Sequence, residues 1–512
     1  MASVLPSLCI REILLDLRGE WAALHACILI NRHWCIFSIQ ELWRDPFSLC
    51  RDRAEKSRHI QLISTYVKCL PPTCQEVNDA VATTTPCAFN YFQFLSRLST
   101  EEVLFSTRFW TKAAFDGQNK TEDTLFKVLC QQFITHSNIE SVHLSRIINI
   151  FELPGTETSL ARVQRFEYDG YLPELLDSAA KISRDIRQFR LFLDDDCDEM
   201  NFAAQLIRSQ RKVQKISLGC CEMRFHTLWE SIAMHAETMV SLRLSSIKFE
   251  KQQPFSLNAL DNFRNLEELG FDYCNNFTVT INEFNLSSFT KINKLSVTAC
   301  KRFPAEFLIY VTRQSKERMR QVELMCVGHF REVVESCMRN CQRITKFKAS
   351  IDTSQSQHVI DLLKNCETVE DVHLNDTRLM KNWLPSRFLI PPAIDGNEFL
   401  KELGKVMPST VHTFRYNLNW DFSPESLKEF FDNWRIKKLN VLDFNLCNFI
   451  SDEHLEVVCQ CLGGGRLRML SLQRTLMSIS EQGIEKASKE IGNIMYSKSF
   501  KWYGEDLLSD YE

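Results

Sequence analysis

The chain has 512 residues, of which 44% are hydrophobic and 25% are charged, and this composition fits a globular protein and excludes a disordered or collagen-like one. Because 61 basic residues are balanced by 65 acidic ones, the formal net charge is −4, and we expect neither nucleic acid nor membrane among the partners. The sequence lacks the run of roughly 18 apolar residues that a membrane span needs, and it lacks the basic lead of a signal peptide. Its 20 cysteines are too sparse for a disulfide scaffold. We therefore expect reduced thiols in the cytoplasm or the nucleus.

Residues 1–45 contain three short segments with apolar residues at helical spacing. These residues are Leu8, Ile13, Leu14 and Leu17 in the first segment, Leu24, Cys27, Ile28 and Ile30 in the second, and a run toward Trp43 in the third. About forty residues rarely form a core large enough to bury so many apolar side chains. We therefore expect part of this apolar surface to face another protein.

This segment resembles the F-box, a short helical module of about this length. The resemblance rests on Leu5-Pro6, the Ile13-Leu14 pair eight residues later, the stretch from Ile30 to Trp34 with its Asn-Arg pair, and the closing Leu42-Trp43. It implies that a Skp-family adaptor binds here and that a cullin scaffold is reached through that adaptor. The adaptor-binding residues that it implies are Leu5, Pro6, Ile13, Leu14, Leu24, Cys27, Ile30, Trp34, Leu42 and Trp43. Pattern alone also allows three amphipathic helices that only cap the following domain.

Residues 46–138 carry several more apolar stripes at helical spacing. They include Ile60, Ile63 and Val67 in one stripe, Phe89 and Phe92 in the next, Phe105, Phe109 and Trp110 in a third, and Leu125, Phe126, Leu129 and Phe133 in the last. So many large apolar residues are not typical of a flexible tether. We predict packed helices that link the F-box to the next domain and cap it.

From residue 139 onward one six-residue pattern recurs thirteen times: apolar, two variable, apolar, one variable, apolar. Its first positions are Ile139, Val163, Ile186, Val213, Met239, Leu266, Ile292, Met319, Ile344, Val369, Val411, Leu439 and Leu467. All intervals but one are 23 to 28 residues, and leucine-rich repeats have periods of roughly 20–29 residues. The predicted fold class is α/β: an all-helical F-box and linker, then a leucine-rich-repeat solenoid over 139–480 with parallel strands on its concave face and helices on its convex face, and a C-terminal cap with an acidic tail over 481–512.

The ninth position of the pattern supports this interpretation. It holds Cys221, Cys274, Cys300, Asn419 and Cys447, with Thr377 and Thr475 as hydroxyl substitutes, whereas Ile147, Ile247 and Val327 depart from the preference. A polar group here can serve the turning backbone amides inside each coil. The segment resembles the cysteine-containing subclass of leucine-rich repeats.

The variable residues of the predicted strands are candidates for contact with a protein substrate. From the fifth positions we select Arg190, Arg243, Glu323, Lys348, His373 and Arg415. Their mixed charge predicts no ligand of a single sign, and a solvated face without a partner is the alternative. The long interval between Val369 and Val411 holds an insertion with Trp383, Phe388, Pro391 and Pro392, which could clamp a partner or could be a tolerated surface loop.

Motifs for chemistry are weak. Cys326, His329, Cys337 and Cys341 have a loosely zinc-like spacing but equally suit a strand end and a helix core. The acidic run from Asp194 to Glu199 lacks the pattern of a calcium loop and suits a solvated loop or contact with a basic substrate. Gly463-Gly464-Gly465 indicates a turn and not a phosphate loop.

The sequence contains no nucleophile motif and no zinc spacing of a ubiquitin-transfer domain. We therefore expect no enzymatic activity, no metal and no cofactor. The favoured hypothesis is a substrate-recognition subunit of an SCF-type ubiquitin ligase, in which the F-box docks the adaptor and the repeats bind the protein to be ubiquitinated. The alternative is a leucine-rich-repeat scaffold that binds a protein without ligase recruitment.

Overall fold

The computed structural model describes residues 5–50, 56–71, 87–115, 119–145, 148–170, 172–194, 197–219, 225–249, 254–285, 288–378, 392–434, 436, 438–445, 447, 449–473, 479–491 and 493–497. The chain divides into two compact units, Met1–Thr238 and Met239–Glu512. Each unit is described by itself below.

The first unit begins with helices and ends with alternating strands and helices. Its helices are α1 (Ser7–Asp16), α2 (Trp21–Ile28), α3 (Arg32–Leu42), α4 (Lys56–Lys68), α5 (Thr100–Phe115), α6 (Asn119–His136), α7 (Thr156–Ser159), α8 (Pro173–Ile182), α9 (Cys197–Arg208) and α10 (Phe225–Ala233). Its strands are β1 (Arg97–Ser99), β2 (Ser141–Leu144), β3 (Arg165–Asp169), β4 (Gln188–Phe192) and β5 (Lys215–Gly219). The strands pair in chain order and all run parallel.

The helices that follow α3 pack around an aromatic core. Tyr66 on α4 lies at its centre, with ring centroids 5.0 Å from Phe92 and 4.9 Å from Phe133 on α6. Phe47, in a short 3₁₀ turn after α3, stacks on the same tyrosine at 6.0 Å. The packed helices expected between residues 46 and 138 are therefore present among the described residues.

The second unit alternates strands with helical returns. Its strands are β6 (Ser241–Ser245), β7 (Phe255–Ser256), β8 (Glu268–Asp272), β9 (Phe277–Thr278), β10 (Lys294–Thr298), β11 (Gln321–Met325), β12 (Lys346–Ile351), β13 (Asp371–Asp376), β14 (Ile394–Asp395), β15 (Thr413–Asn417), β16 (Trp420–Asp421), β17 (Leu439–Asp443), β18 (Leu467–Gln473) and β19 (Ile494–Ser497). Its helices are α11 (Ala305–Ser315), α12 (Phe330–Asn340), α13 (Ser356–Asn365), α14 (Asn397–Val406), α15 (Pro424–Trp434), α16 (Asp452–Leu462) and α17 (Glu481–Glu490).

The strands of the second unit form a parallel sheet in the order β6-β8-β10-β11-β12-β13-β15-β17-β18-β19, with two small parallel pairs, β7-β9 and β14-β16. The fourth positions of the repeat pattern lie level with one another across the sheet and are buried. They are Leu242, Leu269, Leu295, Val322, Phe347, Val372, Phe414, Leu442 and Leu470. On β15, Phe414 packs against Phe430 and Trp434 of α15, with centroid distances of 5.5 and 5.8 Å. The predicted repeat fold, with parallel strands covered by helical returns, is confirmed.

Four successive coils of the second unit turn in the same way. A residue other than glycine takes a left-handed conformation directly after the strand, at Ser246, Tyr273, Ala299 and Cys326. In the first three coils its amide donates to the last strand residue of the next coil at 2.7 Å, for example from Ala299 N to Met325 O. The repeat therefore imposes one turn geometry even where the sequence offers no glycine.

The ninth-position cysteines lie inside these coils and act as hydrogen-bond donors. Cys274 donates its thiol to Leu244 O at 3.3 Å, and Cys300 donates to Phe271 O at 3.4 Å. Cys447 donates to Tyr416 O at 3.1 Å. Each thiol thus donates to a carbonyl of the preceding coil, and not to the backbone amides that the sequence pattern predicts as partners. Cys221 and Thr475 lie outside the described residues.

The structure differs from the sequence expectation in two ways. The parallel strands begin at β1, before residue 139, and end at β19, after residue 480. Two coils, between β6 and β8 and between β8 and β10, return through 3₁₀ turns at Leu257–Leu260 and Ile281–Glu283 instead of α-helices.

No helix in the described ranges combines the length and apolar character that a membrane span requires.

Candidate functional site

The N-terminal module, which we define as α1 to α3, closes a small core of its own. Ile10 and Leu14 on α1 meet Leu24 and Cys27 on α2 in that core, and Leu17, Trp34, Phe37 and Leu42 pack partly against it. Ile10, Leu14 and Leu17 follow one another at helical spacing, so they share one face of α1. Asn31 begins α3, because its side chain accepts hydrogen bonds from the amides of His33 and Trp34 at 2.9 and 3.0 Å.

The same module leaves several large apolar side chains in solvent. Leu8 is 74% exposed, Leu29 75% and Ile30 56%, and Leu5, Ile13 and Ile36 are also exposed. Leu8 lies two residues before Ile10 and so about 200° around the helix from the core face. The exposed apolar face of the module is therefore a candidate docking surface.

The predicted adaptor-binding residues separate into three groups. Leu5, Pro6, Ile13 and Ile30 are exposed; Trp34, Leu42 and Trp43 are half-buried; and Leu14, Leu24 and Cys27 are buried. The buried group cannot itself line a surface in this conformation, and it holds the helices that carry the exposed group. Leu8, Leu29 and Ile36 are also exposed but are not among the predicted residues, because the sequence shows that they are apolar and not that they face away from the core.

Trp43 and the residues beside it attach the module to the rest of the first unit. The Trp43 ring lies 5.4 Å from Tyr66 and 4.1 Å from Tyr91 between centroids. Arg44 forms an ion pair with Glu140, and Arg97 Nη1 lies 3.3 Å from Asp45 Oδ2. The exposed apolar surface is therefore presented from a fixed base and not from a free end.

The predicted substrate-binding residues of the second unit lie on the face of the sheet opposite the buried fourth positions, here called the strand face. Arg243 is already engaged, since its Nη2 donates to Asp272 Oδ1 at 3.1 Å. Glu323 is buried and accepts a hydrogen bond from Ser296 at 2.9 Å. Burial by itself raises the pKa of Glu323, but the charges of Lys348, Lys294 and Arg243 outweigh burial, so that its pKa lies below the ordinary value.

Three of the predicted residues are lateral neighbours. Lys348, His373 and Arg415 lie level on β12, β13 and β15. His373 is buried, which lowers its pKa, and its Nε2 lies 2.8 Å from Asp371 Oδ1. Asp371 therefore offsets part of the positive charge of this row.

In the first unit, Arg190 Nη1 lies 3.9 Å from Glu167 Oε2, and the Arg190 guanidinium lies over the Phe192 ring. Nearby, His143 Nε2 lies 2.7 Å from Asp169 Oδ2 and its Nδ1 lies 3.2 Å from Ser99 Oγ. Glu101, His143 and Asp169 place possible metal-ligand atoms within 4.8 Å of one another. The hydrogen bonds of His143 already account for this arrangement, so we assign no metal to it.

The other candidate motifs have structural roles where they are described. Cys337 lies in α12 and Cys341 directly follows it, and both are buried. Within the described residues, no metal-ligand group forms among Cys326, His329, Cys337 and Cys341. Glu199 is internal, accepting hydrogen bonds from the Tyr168 hydroxyl and the Asp194 amide at 2.5 Å each. Gly464 and Gly465 take positive φ in a turn. Asp195, Asp196, Trp383, Phe388 and Pro391 lie outside the described residues.

Parallel strands joined by helical returns, with a separate three-helix module at the front, define a repeat solenoid with an N-terminal attachment. No protein-family model and no curated protein matches the sequence. Among solved structures the chain is similar to one described as the crystal structure of the Rad7 and Elc1 complex in yeast, with 10% identity and a TM-score of 0.40 over 89% of this chain and 95% of that one.

Proposed function

We propose that this protein is a substrate-recognition subunit of an SCF-type ubiquitin ligase. In this proposal the N-terminal module is an F-box that docks a Skp-family adaptor, and through it a cullin, while the solenoid is a set of leucine-rich repeats that binds the protein substrate. The chain itself performs no ubiquitin transfer; it contributes proximity and orientation. A cytoplasmic or nuclear location follows from this role.

The observation that carries the proposal is the exposed apolar surface of the N-terminal module. The module has a core of its own around Leu14 and Leu24, yet Leu8, Leu29 and Ile30 remain in solvent. If the module only capped the solenoid, its apolar side chains would be directed into the fold. Exposed leucine and isoleucine beside a fixed base suit a helical partner that buries them.

The test is binding of a purified Skp-family adaptor to the full chain. We expect the triple variant Leu8→Asp, Leu29→Asp and Ile30→Asp to bind the adaptor at least about tenfold more weakly, because a charge would be buried at each contact. These three side chains are exposed, so the variant should retain its thermal unfolding transition. The measurement is adaptor affinity by biolayer interferometry, with circular dichroism as the folding check.

The matched control is Met234→Asp with Met495→Asp, since both methionines are exposed apolar residues outside the module. Adaptor affinity should be unchanged in this control. Equal binding by the triple variant and the wild type, or no binding by the wild type, would contradict the proposal. The remaining function would then be a protein-binding scaffold without ligase recruitment.

A further inference from the structure

A polar groove runs along the edge of the first unit where its strands begin. It encloses about 310 Å³ and is lined by four arginines, Arg44, Arg97, Arg165 and Arg187, together with serine and glutamine side chains and two acidic residues. Its volume lies at the low end of the range of about 300–1,000 Å³ for ligand pockets. The groove is formed by residues at the ends of α3 and at the starts of β1 to β5, so the backbone of the coils fixes its walls.

The two acidic residues are already neutralised. Glu140 forms an ion pair with Arg44, and Asp45 lies 3.3 Å from Arg97. Arg165 and Arg187 are exposed, and within the described residues neither forms an ion pair. Toward the part of the chain that the structure describes, Arg165 donates only its Nε, to Gln188 Oε1 at 3.1 Å, and its terminal N–H groups have no partner there. The groove thus carries an excess of two guanidinium groups on neighbouring coils.

We propose that this groove binds an anionic side chain, a carboxylate or a phosphate ester, within an extended segment of a partner protein. Guanidinium groups form paired, charge-assisted hydrogen bonds with both anions, and the glutamine and serine side chains can serve the backbone of the segment. A protein segment fits better than nucleic acid, because none of the described residues lining the groove is an aromatic platform for a base and the chain has a net charge of −4. The inference does not depend on adaptor recruitment.

The experiment uses the full chain and three fluorescent peptides of one sequence that differ at two adjacent positions, which hold phosphoserine, glutamate or serine. We expect the phosphoserine peptide, the glutamate peptide or both to bind with Kd below about 1 mM, and the serine peptide to bind at least tenfold more weakly. The stronger of the two anionic peptides identifies which source of negative charge the groove prefers. Inorganic phosphate should compete with the bound peptide.

The decisive variant is Arg165→Gln with Arg187→Gln, which keeps hydrogen-bonding side chains and removes both charges. Its control is Arg162→Gln with Arg184→Gln, two exposed arginines that do not line the groove and whose loss changes the net charge equally. The first pair should weaken binding at least tenfold and the control less than twofold. Equal losses in both pairs, equal binding of the serine peptide, or no binding of either anionic peptide at 1 mM would each overturn the proposal. Adaptor affinity should be the same in all variants, so failure here is distinct from failure of the ligase proposal.

Discussion

Charged residues on the strands of both units form pairs with neighbours one coil away. Arg243 on β6 reaches Asp272 on β8, and His143 on β2 reaches Asp169 on β3. Each pair bridges two coils and therefore contributes to the stacking on which a solenoid depends. A charged residue that the sequence pattern predicts to bind a partner can therefore equally stabilise the contact between two repeats.

The His143–Asp169 pair predicts a pH dependence of stability. Burial lowers the pKa of His143, but the hydrogen bond and charge of Asp169 outweigh burial and raise it; the same hydrogen bond lowers the pKa of Asp169 despite its burial. The raised histidine pKa stabilises the fold below about pH 6.5 and that contribution is lost as pH rises further, whereas the lowered aspartate pKa stabilises above about pH 4. The pair is therefore most stabilising between these two values.

We expect Asp169→Asn to lower the free energy of unfolding by about 0.5–1 kcal/mol at pH 5.5 and by less at pH 8, since the pair is only partly buried. The measurement is urea unfolding at both pH values. The control is Asp177→Asn, which breaks a surface pair with Lys181 that contains no histidine. A loss for Asp169→Asn that is the same at both pH values would contradict the assignment.

At the scale of elements, four successive coils of the second unit have a left-handed residue directly after the strand. Ala299 takes φ of 51° between β10 and its buried neighbour Cys300. An alanine in this conformation costs roughly 1–2 kcal/mol, of which the greater freedom of unfolded glycine would cancel part. Ala299→Gly should therefore raise the free energy of unfolding by about 0.5–1 kcal/mol.

The same position distinguishes strain from a simple volume effect. Ala299→Val should lower the free energy of unfolding, because a β-branched side chain is poorly tolerated at positive φ. The measurement is the midpoint of urea unfolding for both variants. Destabilisation by glycine would show that the methyl group of Ala299 contributes packing that outweighs the strain.

At the scale of the whole molecule, the repeat pattern predicted most strands. The apolar hexamer indicates where a strand lies, and the regular interval indicates which strand is its neighbour. The pattern missed β1, where Leu95 and Leu98 occupy the first and fourth positions but the polar Thr100 takes the sixth. It also fits Ile491, Ile494 and Tyr496 at β19, which lies beyond the predicted end of the solenoid at residue 480.

The candidate site was less predictable than the fold. Helical periodicity identified the apolar residues of the N-terminal module, but it could not tell which face meets the module's own core and which faces solvent. That choice depends on how α1 and α2 pack against α3, as the burial of Leu14 and the exposure of Leu8 show. The groove at the strand starts cannot be predicted from the sequence, because its arginines come from separate coils and from the residues after α3.

The separate cores of the molecule predict that damage to the N-terminal module stays local. Leu24 is buried in the module core, away from the aromatic core around Tyr66. Leu24→Ala should cost about 2–5 kcal/mol, enough to open a module of this size without unfolding the repeats. We expect hydrogen exchange to increase across α1 to α3 and adaptor affinity to fall, while the amides of β10 to β13 keep their protection.

The control, Leu295→Ala, removes a buried side chain of the second unit and should reverse this pattern, with faster exchange in β10 and unchanged adaptor affinity. Faster exchange throughout the chain after Leu24→Ala would contradict the independence of the module, because the two cores would then unfold together.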